Sequence, residues 1–157
     1  MSEELLPDPD RRRVLEPGCS RCPGLAKART RIAWGVGPDD ADVVVVGEAP
    51  AVGDPDAERW QGGNHTGMAY TSRHSGQRIR QLFAELGYAD RTYYTNAVKC
   101  FPRAEVGFGS GSGSNSDDDG SNSDDDGSEG SSDVDTPDQS TNREPTAAER
   151  DACREHL

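Results

Sequence analysis

Four cysteines constrain this chain of 157 residues more than any other feature. Cys19 and Cys22 form a tight Cys-Ser-Arg-Cys pair, whereas Cys100 and Cys153 stand alone with 52 residues between them. Structural zinc sites are commonly built from two close pairs joined by a short spacer. Only the first half of that pattern is present. The fold must bring one paired turn and two remote single thiols to a common place.

The segments between these cysteines read as an α/β unit. Val43 to Val46 is an unbroken β-branched run, the composition of a strand buried on both faces of a parallel sheet. Gly47-Glu-Ala-Pro-Ala51 comes next as a turn, then a Gly-rich polar loop from Gly53 to Gly67. Ser75 to Gly87 has helical periodicity, with Ile79, Leu82, Phe83 and Leu86 on one face and Gly87 as its stop. Tyr93 to Val98 predicts a second strand, running into Cys100. Cys19 to Arg31 predicts a turn entering a short helix with Leu25 and Ala28 at helical spacing. Thr146-Ala-Ala-Glu149 is a capping box opening the helix that carries Cys153.

The chain divides into four units: a polar leader (1–18), an α/β core (19–106), an acidic insert (107–142) and a cysteine-bearing helix (143–157). The leader contains Arg11-Arg12-Arg13 and is expected to pack loosely, with its arginines solvated. The insert repeats Gly-Ser-Asn-Ser-Asp-Asp-Asp in tandem, at 113–119 and 120–126, and has almost nothing apolar to bury. It reads as a disordered, solvated linker. Its Asp triplets lack the glutamate that would complete a calcium loop.

Charge places the chain further. The insert holds ten of the 29 acidic residues and no basic ones, so the formal charge of −12 belongs mostly to it. The remaining nineteen acids nearly balance seventeen bases, which leaves a nucleic-acid partner open. Only Lys27 and Lys99 stand against fifteen arginines. Many carboxylates with few lysines suit a protein kept soluble in concentrated salt, as in a halophilic cell. No membrane-length apolar run and no signal-peptide pattern are present, so a cytoplasmic monomer without membrane contact is expected. In that compartment cysteines more often ligate metal than form disulfides. Iron–sulfur clusters draw thiolates from separate elements, so a [4Fe–4S] cluster at the sheet edge is favoured over zinc. Buried free thiols would leave the pair at 19 and 22 unexplained.

The turn after the first strand places small residues, a proline and Glu48 at the carboxyl end of a parallel strand, where α/β folds gather ligands. Asp54 lies just beyond. Asn96 offers a paired donor and acceptor, the complement of a carbonyl–imide edge.

Taken together, Cys-x2-Cys, Gly-Glu-Ala-Pro, an aromatic in a Gly-rich loop, Thr-Asn-Ala-Val-Lys-Cys and a late Cys resemble the family 4, iron–sulfur, uracil-DNA glycosylases. The likeness covers Cys19 to about Arg103 and resumes from Asn142 to Leu157. It implies that Cys19, Cys22, Cys100 and Cys153 hold a [4Fe–4S] cluster. It implies a substrate-facing motif at Gly47, Glu48, Ala49, Pro50 and Ala51, with Glu48 and Asp54 as candidate catalytic acids. Tyr70 matches the aromatic that stacks on a flipped uracil, and Asn96 the residue that bonds its edge. The expected activity is hydrolysis of the N-glycosidic bond of uracil in DNA, in base excision repair.

Departures accompany the likeness. Ala51 stands where family 4 usually has Gly, a feature shared with family 5, and Asp54 is one methylene shorter than the usual Glu. The loop around Asn64, His65 and Thr66 is altered, and one residue is added after Tyr70. A relative that traps uracil covalently carries a basic, His-containing loop after the Lys-Cys position; here that loop is acidic and has no His. The family's C-terminal His-Pro-Ser motif has no counterpart up to Leu157, so the chain reads as C-terminally truncated and inactive or nearly so alone. The alternatives are a non-catalytic iron–sulfur DNA-binding module and a zinc-stabilised interaction protein.

Overall fold

The fold is a computed structural model that describes residues 5–104 and 142–157. Strand β1 (Val43–Gly47) and strand β2 (Thr92–Asn96) pair in parallel, with Gly47 beside Asn96. Four consecutive valines favour the extended backbone, because branching at Cβ crowds a helix and packs well on a pleated surface. On its other side β2 meets an antiparallel bridge between Tyr94 and Val36, and Val36 in turn bridges Arg12. The layer therefore runs, in space, from the leader through Val36 and β2 to β1.

Two expectations change here. β1 is not buried on both faces: Val44 and Val46 remain 58% and 53% exposed, because nothing among the described residues covers that side. Among its described residues, the leader is tied down at Arg12 and Arg13. Arg13 N–H donates to the Gly35 carbonyl at 2.8 Å, and the Arg12–Val36 bridge extends the layer by one row. The Arg13 side chain stays at the surface and pairs with Asp39.

Helix α1 (Pro23–Ala28) starts on a proline whose missing N–H costs nothing at that position, and it buries Leu25. Helix α2 is a single turn, Gly63–Thr66. Helix α3 (Ser75–Glu85) forms as expected, but its buried positions are Gly76 and Arg80. Ile79 and Phe83 are half-buried, whereas Leu82 and Leu86 are exposed. The inward stripe is thus rotated from the purely apolar one, because Arg80 makes contacts that a leucine could not. Among the described residues no helix is long and apolar enough to cross a membrane.

Helix α4 (Ala147–Cys153) opens on the capping box: Thr146 accepts from Glu149 N–H, and the Glu149 carboxylate accepts from Thr146 N–H. The same carboxylate takes a two-pronged Arg143 guanidinium at 2.6 and 2.9 Å. Arg143, then backbone and cap hydrogen bonds, hold the Glu149 pKa at about 2 against a partly opposing desolvation. The folded value lies below the unfolded one, so this stabilisation is complete above about pH 4.5 and disappears as pH falls toward 2. Glu149→Gln is expected to flatten acid unfolding between those limits and cost about 2–3 kcal/mol at neutral pH, read from urea melts.

The insert, 107–142, lies outside the described residues except for Asn142. Its flanks meet: Asn142 bridges Arg103, and Arg143 N–H donates to the Pro102 carbonyl at 2.9 Å. Replacing 107–141 with a short Gly-Ser turn is therefore expected to leave the thermal midpoint nearly unchanged, since closure cost grows only logarithmically with loop length. Unfolding of the shortened protein would refute the linker reading.

Candidate active site and cysteine centre

A cavity of about 580 Å³ opens at the carboxyl ends of β1 and β2. The turn from Gly47 to Ala51 forms one wall, with Tyr70 and Asn96 beside it and Arg143 at the rim. Main-chain bonds lock this wall to the segment after β2: Ala97 and Val98 donate to the carbonyls of Gly47 and Glu48 at 2.7 and 2.9 Å. Gly47 is required by close approach, because a Cβ there would collide with the Asn96 side-chain oxygen and the Tyr70 hydroxyl. Three residues far apart in the sequence thus meet at one point.

Asn96 is 3% exposed, so its amide is presented by a nearly closed wall. The Glu48 side chain is exposed at the rim, within reach of a bound molecule. Asp54 goes elsewhere. Its carboxylate accepts from Asp56 N–H at 2.9 Å in an exposed turn, and it does not line the cavity.

Tyr70 has a left-handed backbone, φ 54°, which is costly for a side chain of this size. Arg80 holds it there. Its guanidinium donates to the carbonyls of Tyr70 and Ala69, both at 2.7 Å, and lies 4.0 Å from the centre of the Tyr94 ring. Gly76 lets α3 approach, since a Cβ would strike the Tyr70 main chain. Burial lowers the Arg80 pKa to about 10 and pushes the Tyr70 hydroxyl up. Arg80 was not singled out from sequence, although Gly76, Arg80 and Phe83 share helical spacing. Arg80→Lys cannot fork across two carbonyls. It is expected to lose about 2 kcal/mol of stability in urea unfolding, the worth of a charge-assisted hydrogen bond.

The four cysteines gather behind this wall. They line one small cavity with Leu25, Ile32, Trp34 and Val98. Arg29 donates to Cys100 Sγ at 3.3 Å, and Lys99 N–H donates to Cys153 Sγ at 3.4 Å. Burial pushes the Cys22, Cys100 and Cys153 thiols up, so metal binding there would release protons. A tetrahedral zinc at ~2.3 Å from each sulfur needs sulfurs about 3.8 Å apart. Among the described residues, the only three or more candidate ligand atoms within 4.8 Å of one another belong to Glu16, Cys19 and His156, not to a cysteine set. The four thiols share one cavity without closing on a single point.

Glu16 and His156 were also missed. His156 is buried, meets Trp34 edge-on, and lies 3.3 Å from the Glu16 carboxylate. Nothing in their spacing announces this, because Glu16 and His156 sit near opposite ends of the chain and meet only through the fold.

The family model described as Uracil DNA glycosylase superfamily matches residues 34–157, and the chain belongs to that superfamily. A search of curated proteins found no match.

Proposed function

We propose that this member of the superfamily is an iron–sulfur uracil-DNA glycosylase, acting as a cytoplasmic monomer on uracil-containing DNA in base excision repair. What supports the reading is the convergence of Gly47, Tyr70 and Asn96 on one cavity at the strand ends. A base cannot be cut inside the duplex stack, so the nucleotide flips into this cavity. The Asn96 amide then pairs with the carbonyl–imide edge of uracil, and the Tyr70 ring covers its face.

Breaking the N1–C1′ bond builds positive charge on the sugar and negative charge on the leaving base. Glu48 is the acid placed to steady that cation or to orient water, and its exposed rim position favours it over Asp54. Main-chain N–H groups of the turn would steady the leaving anion. Cys19, Cys22, Cys100 and Cys153 would hold a [4Fe–4S] cluster, whose contribution would be to cross-link the turn before α1, the segment after β2 and α4. The scarcity of lysine supports a protein of a salt-accumulating cell.

Base flipping gives a direct test. An oligonucleotide with 2-aminopurine beside uracil is expected to brighten when the chain binds, as the neighbour unstacks. The same oligonucleotide with thymine should stay dim. Equal responses would remove the uracil reading.

A further inference from the structure

Lys99 is one of only two lysines in the chain, and it is 1% exposed. Its ammonium donates to the main-chain carbonyl of Asn96, three residues back. Its own N–H donates to Cys153 Sγ at 3.4 Å, and its carbonyl accepts from Ala33 N–H at 2.7 Å. The next residue is Cys100. A buried ammonium is costly unless it is bonded, and a methionine would fill the same space without that cost. The buried ammonium is bonded to the main chain at the end of β2.

We propose that Lys99 is a positioning residue, tying the Asn96 end of the base cavity to the cysteine-lined cavity and so fixing the base-reading amide. This rests on the uracil reading above, and deepens it. Asn96 ends β2, and beyond it Ala97 and Val98 continue the main-chain bonding to the turn after β1. The Lys99 ammonium bonds back across that end, while the Lys99 main chain is held from the other side by Ala33 and Cys153. The Lys99 side chain adds a second link to the main-chain connection between the two cavities, so disturbing the cysteine centre would reach Asn96 by way of residue 99.

The test uses the full chain, purified anaerobically with its metal, and oligonucleotides that differ only in uracil or thymine. Lys99→Met is expected to lower the uracil-to-thymine affinity ratio about tenfold, while thymine-oligonucleotide affinity and visible absorption stay near wild type. The Asn96 side-chain amide, followed by 15N NMR without DNA, is expected to shift and broaden in the same variant. An unchanged ratio, or an unchanged Asn96 amide, would overturn the proposal. Should Lys99→Met fail to fold, Lys99→Arg carries both readouts, because it keeps the charge but moves the donor. Asn96→Ala separates the two ideas. If that variant keeps full uracil preference, the uracil reading fails, and the NMR signal alone decides the role of Lys99.

Discussion

Cys100→Ser is expected to strip the protein of iron and of most of its stability. Cys100 ends the segment after β2 and belongs to the same buried cluster as Leu25 and Val98, against which Cys22 and Ile32 pack. The thiol would therefore do two things at once. It would ligate, and it forms part of a core that is small in a chain with only 31% hydrophobic residues. Small cores commonly need a staple, and metal binding there would contribute folding free energy. Wild-type protein purified without oxygen should be brown, with iron and sulfide in equal amounts. The serine variant should be colourless and melt far below wild type. Stoichiometric zinc in a colourless wild-type protein would sink the cluster assignment. Full iron content in the variant would sink the ligand set.

Asn96→Ala is expected to abolish preference for uracil over thymine while DNA affinity in general survives. General affinity comes from charge contacts to phosphate, which this substitution leaves alone. On the proposed reading the preference would come from a buried amide with a matched donor and acceptor, and losing it would strand the polar edge of the bound base. The expected loss is roughly 3 kcal/mol, or about a hundredfold in affinity ratio. Tyr70→Ala should act differently, weakening retention of the flipped base by roughly 1–3 kcal/mol, the worth of one base–aromatic stack. An Asn96→Ala protein that still prefers uracil would mean that this strand end does not read the base.

Features fixed by neighbouring residues were legible before any coordinates. The capping box at Thr146 and Glu149, the short helix burying Leu25, and both strands come from local rules of spacing and branching. The site roles of Gly47, Tyr70 and Asn96 are implied by family likeness, not by spacing; all three line one cavity. What escaped the sequence depends on how loops and elements pack rather than on spacing within one element. Arg80 was not singled out because its acceptors, the Ala69 and Tyr70 carbonyls, lie in the preceding loop and not on its own helix. The exposure of Val44 and Val46 could not be read from composition, since a valine run looks the same with one face covered or two. Asp54 is a candidate acid through the family likeness; its carboxylate accepts from Asp56 N–H in its own turn, away from the cavity lining.

The most direct measurement is the equilibrium affinity of the wild-type chain for two duplexes that differ only in uracil or thymine at one position. Both should be measured at several salt concentrations, because screening moves the phosphate contacts of both together. The account predicts tighter binding of the uracil duplex, with a ratio that barely changes with salt. Equal affinities at every salt concentration would contradict it.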